Sequence, residues 1–446
     1  MAEGLIIVLI VKNKNIGYNL SERRINIMQI KEISNDDFTS FTKLKSYRGY
    51  YQSEYYGSLM SKSGYNAYYI GLFNDDNNLV VAALLLCSSI FSNFHCAYAP
   101  GGFVIDYNDE ELVKIFIQKL KKFLYDRGFI YLKTDPTVIY QYHNENGSPN
   151  EEKRNNYAII ELFKTLGMSH NGFNLNFENL KPRWVMIKKI DGSPINMFNE
   201  LDKDTKSKVN KAIKFGIKFI KGRKEDVPLF FEFVKKKYNK KLSYYEQLYD
   251  IFNGSGMGDI YLAKMNPGTY LEIAKNTFDE EKLVNDALNE KITSGENNES
   301  NINAKMESDL RLNEYKKGII DATNINRKHQ DGFVIGACLV IKYNNELFNV
   351  IDGINKDYRN YGVSEFMKWC LIEGYSKDVN YFNLGAISGD FNKDSKYYGL
   401  YHFKKGFNAE IVEYIGEFDL IINKQMYFLY KKFVKKFRDK KLKEKR

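Results

Sequence analysis

A lysine set between an aromatic side chain and a glycine stop is the residue of this sequence best placed for chemistry. Lys404 follows Phe403 in Tyr398–Lys404, a stretch that reads as a short helix ended by Gly406. It lies just past a glycine-rich strand end, Tyr381 to Gly389, where a side chain is well placed to face a cleft. Taken alone, the same lysine also reads as a solvated side chain on a surface helix, because lysines are seldom buried. The five histidines suggest no Ser-His-Asp or Cys-His arrangement. The four cysteines (Cys87, Cys96, Cys338, Cys370) have no metal-like spacing and fit core thiols of a reducing cytosol. Neither a metal nor a cofactor is called for.

The stretch around Lys404, G-L-Y-H-F-K-K-G-F-N-A-E-I-V-E-Y-I-G-E-F-D, resembles the C-terminal signature of the Fem-type aminoacyltransferases, with His402 where the family usually has Arg. The resemblance runs from about Met28 to Lys431. Tyr51-Gln52-Ser53 is similar to the family's early aromatic-Gln-Ser motif, Tyr98 to Asp106 to its glycine turn, and Leu132 to Pro136 to its Lys-x-Asp-Pro strand end. Leu180-Lys181-Pro182-Arg183 is similar to its Leu-Gln-Pro-Arg. A family lysine after the Gln-Ser motif falls nearest Met60, with Lys62 two places on, so that contact is not assigned. Lys241 and Tyr245 match the spacing of an Arg-Tyr pair that holds the precursor, although lysine lacks arginine's bidentate fork.

The resemblance implies an enzyme that moves an amino acid from aminoacyl-tRNA onto the stem peptide of a lipid-linked peptidoglycan precursor such as lipid II. Such an ester is already activated, so direct attack by an amine needs only a neutral amine and a stabilised oxyanion. Lys404 is the candidate for the positive charge near the oxyanion. Phe403 is the candidate for packing on the acceptor end of the tRNA, and Asp135 for orienting or deprotonating the amine. A phosphate of the substrate is an equal candidate for that proton. Gln52, Lys241 and Tyr245 are the remaining substrate-binding candidates.

These residues need an α/β (α+β) frame. The family looks like two GCN5-type N-acetyltransferase folds fused, with an inserted coiled-coil helical arm. Here the expected parts are an extension over 1–27, a first domain over 28–180, and a second over 181–268 and 331–400. The arm covers 269–330, a C-terminal segment over 401–430 returns to the first domain, and a basic tail covers 431–446. Within the first domain, Ala67–Phe73 and Leu79–Ser88 read as a hairpin across Asn74–Asn77, and Glu110–Asp126 as an amphipathic helix. In the arm, Leu271, Ala274, Phe278, Leu288 and Ile292 share a heptad track interrupted by Glu281 and Asn285, with Ile302, Met306, Leu310 and Ile319 returning. Near the C-terminus, Ile411–Ile415 and Phe418–Ile422 look like strands paired around Gly416-Glu417.

At 446 residues, 43% apolar and 15% aromatic, the chain has material for two full cores. Of its net +10, the segment Lys431 to Arg446 carries +8. Clustered positive charge suits RNA or an anionic membrane face, and equally a solvated tail. No run approaches the ~18 apolar residues of a membrane span, and Gly4 to Val11 lacks the flanks of a secretion signal. The expectation is a cytoplasmic protein, with peripheral contact at the inner membrane face as a further option, and a monomer or weak homodimer. Two other classes stay open. A coenzyme A-dependent N-acyltransferase would use Arg359 to Ser364, which echoes a phosphate cradle at a helix start. A non-catalytic RNA- or membrane-surface module would use the tail and the basic runs Lys203 to Lys224 and Lys235 to Lys241.

Overall fold

The computed structural model describes residues 28–45, 49–91 and 94–435; the expected extension and most of the basic tail lie outside them. The chain separates into two compact units. One comprises residues up to Ile187 together with Ala386–Tyr401 and the chain from Glu410, and the other Lys188–Gly385 and His402–Ala409.

The first unit opens with strands β1 (Gln29–Glu32), β2 (Asn66–Phe73), β3 (Leu79–Phe91), β4 (Phe94–Ala99), β5 (Phe129–Thr134), β6 (Ile139–His143) and β7 (Met168–His170). β8 (Trp184–Lys189) then carries the chain into the second unit. The β2–β3 hairpin forms as expected, with Asn77 in the left-handed conformation at the turn. The amphipathic helix forms over Glu110–Tyr125, started by the Asp109 side chain on the Leu112 N–H. It lays Phe116, Leu120 and Leu124 into a core shared with Leu72, Val81, Leu85 and Leu132. Removing that apolar face from water is the main drive for the unit.

The second unit is built on β9 (Ile217–Lys221), β10 (Gly258–Met265), β11 (Phe333–Tyr343), β12 (Glu346–Ile354) and β13 (Tyr381–Ala386). Their order is β13-β12-β11-β10-β9, antiparallel except for β12 beside β13. The crossover between those two is the helix Val363–Gly374, so β11, β12, the helix and β13 follow one another as strand, strand, helix, strand. Between β10 and β11 the chain makes two long helices, Pro267–Thr293 and Glu299–Lys328. Contacts of Asn285 with Ser308 and of Tyr270 with Asp321 show that they run antiparallel. The residue that interrupts the heptad, Asn285, is buried and donates to Ser308 and Asp309. A satisfied buried amide fixes the register that aliphatic residues alone would leave loose. Ile302, Met306 and Leu310 are exposed, on the side of their helix away from Ser308.

Back in the first unit, β14 (Glu410–Tyr414) and β15 (Phe418–Ile421) form where strands were expected, but they do not pair with each other. β14 lies between β6 and β8, and β15 between β5 and β7 in a seven-stranded sheet of order β1-β2-β3-β4-β5-β15-β7. Gly416, at φ +88°, lets the chain leave one set of strands for the other. Two short strands around a glycine resemble a hairpin in sequence, and only the competing partners β5 and β8 decide otherwise.

Candidate active site

In the second unit, Lys404 sits on the helix Tyr398–Lys405 and is 6% exposed. The helix is anchored beyond it by Gly406, where any β-carbon would lie 2.1 Å from Thr205 Oγ1 and 2.9 Å from Asp202 Oδ2. That glycine is therefore required by close packing on the helix Lys203–Lys214. The left-handed turn after it is made by Asn408. The Lys404 ammonium points at Gly385 on β13, within 3.7 Å of the place a β-carbon would occupy.

Around it lies a network that sequence reasoning missed. Asp352 on β12 accepts from Lys368 and, at 2.9 Å, from Lys237, and the Asn349 amide donates to it at 3.2 Å. Lys368 also donates to Asn349 Oδ1 at 2.8 Å. Burial pushes the Asp352 carboxyl up, but Lys368 and Lys237 outweigh it and hold the group far below the usual carboxylate range. Lys404 moves the other way, lowered to about 7, chiefly because burial disfavours its charged form. Asp352 opposes that shift, while Lys368 and Lys237 add to it. An ammonium that loses its proton near neutrality is a group whose charge responds to a neighbour. Two signals could have revealed this network. Lys368 interrupts the apolar run Phe366–Ile372 of a buried helix, and Asp352 is a lone charge in the last five residues of β12.

Phe403 is half-buried and packs edge-on against Phe407, with ring centroids 5.4 Å apart. Lys241 and Tyr245 are not brought together. Lys241 is exposed at the start of the helix Leu242–Gly254, whereas Tyr245 is buried against Phe230 and Phe231. No hydrogen bond or ion pair joins them among the described residues.

The first unit holds a second polar cluster, at the end of β5. Asp135 is buried, accepting from Tyr98 Oη at 2.5 Å and from the Gly101 N–H at 2.7 Å. Lys181 Nζ lies 3.6 Å from Asp135 Oδ1, the oxygen that Gly101 also meets, and 3.3 Å from the centre of the Tyr51 ring, a cation–π contact. Burial raises the Asp135 carboxyl against the pull of Lys181, Tyr98 and Gly101, and burial lowers Lys181 to about 8. Lys181 stands at the motif position where the resemblance expects Gln, and that departure was the signal for it. Gln52 was expected at substrate. It is instead fully buried, donating to the Leu84 and Pro100 carbonyls and accepting from the Leu84 N–H. With both ends of its amide spent on backbone, it holds the Pro100-Gly101 turn whose N–H meets Asp135.

The loop that echoes a phosphate cradle is closed. Gly362 caps the helix Val363–Gly374, and a β-carbon there would lie 2.1 Å from the Lys208 carbonyl oxygen. The buried Glu365 follows in the first turn, 3.3 Å from Lys208 Nζ. A carbonyl and a carboxylate at that end oppose a phosphate.

Comparison with known proteins covers nearly the whole chain. The profile described as the FemAB family matches residues 33–436. Aminoacyltransferase FemA of Staphylococcus epidermidis is 28% identical over 418 residues, 91% of this chain and 98% of that protein. Aminoacyltransferase FemB of the same species is 28% identical over 415 residues, 90% of this chain and 97% of that protein. The crystal structure of FemX superposes with a TM-score of 0.70 at 21% identity, over 90% of this chain and 99% of that one.

Proposed function

The chain belongs to the FemAB family, and from that premise we propose that it transfers an amino acid from aminoacyl-tRNA to an amine on the stem peptide of a lipid-linked peptidoglycan precursor. Its being an aminoacyltransferase rests on relatives matched end to end. The observation that carries the chemical reading is Lys404, an ammonium almost wholly removed from water beside a fixed carboxylate.

In the proposed reaction the acceptor amine adds to the ester carbonyl, forming a C–N bond and an oxyanion. The oxyanion collapses, the C–O bond to the tRNA 3′-terminal ribose breaks, and the proton taken from the amine passes to the departing ribose oxygen. Lys404 in its charged form stabilises the oxyanion, which strengthens as charge develops and so lowers the barrier rather than the ground state. An approaching oxyanion also raises the lysine's own proton affinity, so the ammonium forms where it is needed. Asp135 is proposed to orient or deprotonate the amine. Its burial-raised carboxyl is a better proton acceptor than an exposed one, and Tyr98 and Gly101 fix its orientation. Phe403, Lys241 and Tyr245 remain proposed substrate contacts, and Gln52 acts through the turn it holds. The protein is proposed to work in the cytoplasm, peripherally at the inner membrane face; no helix among the described residues is long and apolar enough to cross a membrane.

The test is direct. Incubating the protein with lipid II and a mixture of charged tRNAs, then weighing the product, identifies donor and acceptor together. Lys404→Met should lose on the order of 10²–10³-fold in turnover with little change in binding. Lys405→Met, about 100° away around the helix, should lose no more than a few-fold. Equal turnover of both variants would overturn the assignment, and product formed only with acetyl-coenzyme A would overturn the donor.

A further inference from the structure

A cavity of about 580 Å³ opens in the second unit, at the β9–β10 side of its sheet and the C-terminal end of the helix Val363–Gly374. One wall is rigid. Phe219 and Tyr261 stack with their rings 9° from parallel and 4.8 Å apart. The Tyr261 and Tyr375 hydroxyls lie 2.9 Å apart, and Tyr375 donates to Asp259 at 3.2 Å. Asp259 is neutralised by Lys221 at 2.8 Å and held by the Asn253 amide. That wall offers aromatic surface without net charge.

The rest of the lining is different. The half-buried Lys342 and, on the exposed rim, Glu373 and Asp378 also face the cavity, and none of the three makes an ion pair among the described residues. One cation and two anions, left unneutralised around an aromatic wall, suit a ligand carrying both an ammonium and a carboxylate on an apolar body. A nucleotide fits poorly, because its phosphates would meet Glu373 and Asp378 while Lys221 is already engaged. A purely apolar ligand would cover the half-buried Lys342 without giving its ammonium a partner. The volume takes more than one amino acid. We infer that this cavity binds a short peptide with free termini, its carboxylate on Lys342, its ammonium on Glu373 and Asp378, and an aromatic or aliphatic side chain against Phe219 and Tyr261.

The cavity is separate from the Lys404 network yet mechanically close to it. Asp352, Cys338, Tyr261 and Lys221 form one register row across four strands. Neighbours in such a row are about 5 Å apart, which puts Tyr261 about 10 Å from Asp352. The helix that carries Lys368 to Asp352 also carries Glu373 in its last turn.

The experiment titrates the full-length protein with alanyl-phenylalanyl-alanine, its N-acetylated form and its C-terminal amide, by calorimetry. The free peptide should bind saturably, and blocking either end should weaken it about tenfold or more, ~1.4 kcal/mol. Lys342→Met should erase the difference between acid and amide. Glu373→Gln combined with Asp378→Asn should erase the difference between free and acetylated amine. Lys404→Met should bind the peptide like the wild type, which separates this site from the proposed reaction centre. No saturation with protein whose melting curve is intact would overturn the inference. So would equal affinity for all three peptides, or binding lost in Lys404→Met and kept in Lys342→Met.

Discussion

If the charge on Lys404 does the chemistry, its neighbours should move the alkaline limb of activity in opposite directions. With its proton affinity lowered to about 7, Lys404 is about half charged at neutral pH. The reactive form is the ammonium, so kcat/KM should fall as pH rises through that value. Asp352 favours the ammonium, whereas Lys237 disfavours it. Losing a neighbouring charge in a buried site shifts a group by about 1–3 pH units. Asp352→Asn should therefore leave under about a tenth of Lys404 charged at pH 7, a roughly fivefold loss or more that shrinks toward pH 6. Lys237 is half exposed, so water screens it and its removal should shift the limb by less than about one unit, upward. At pH 8 the charged fraction would rise from about a tenth to about a third, a threefold gain. The assay is transfer of a labelled amino acid from charged tRNA to precursor, as kcat/KM from pH 6 to 9, corrected for uncatalysed ester hydrolysis. Asp352→Asn also strips a buried pairing that costs about 3–5 kcal/mol to break, so both variants are melted first and assayed well below their transitions. Limbs that move the same way, or that both stay at the wild-type position while Lys404→Met is inactive, would refute the reasoning.

Other consequences follow from the same groups. Lys404 binds its proton more weakly folded than unfolded, so its burial costs stability in full below about pH 7, and the cost fades as pH rises toward 10.5. Lys404→Met should accordingly melt higher than wild type at pH 7, by up to about 4–5 kcal/mol, with the gap closing by pH 10; a gap that widens with pH would contradict it. Gln52→Ala removes three buried hydrogen bonds and strands two carbonyls and an N–H, which should cost about 2–4 kcal/mol in denaturant melts. Asn285→Leu should leave a cooperative melt but allow the two long helices to slip, seen as altered cross-linking of cysteines placed at 281 and 311, which face each other in the native register. Removing Lys431 to Arg446 should weaken binding to tRNA or anionic vesicles at low salt and make little difference at high salt; equal loss at both would exclude a counterion-driven contact.

What the sequence made legible follows a physical line. Local signals carried the hairpin across Asn74–Asn77 and the Glu110 helix, because turn chemistry and apolar period act over a few residues. They failed where the choice was between distant partners, as with β14 and β15, whose pairing depends on strands hundreds of residues away. The candidate site divides in the same way. Lys404 and Asp135 were found through their motifs, and both are buried groups with displaced proton affinities. Gln52 lay in an equally recognisable motif, yet its chemistry is spent on backbone, because motif position does not say whether an amide faces substrate or its own chain. Lys368 and Asp352 belong to no motif that was used, but each is a charge in an apolar run, and Lys181 stands out only as a charge at a motif position where Gln was expected. A buried charge must find a partner or shift its proton affinity, so charges interrupting apolar runs are the positions from which a site of this kind can be read before its geometry is known.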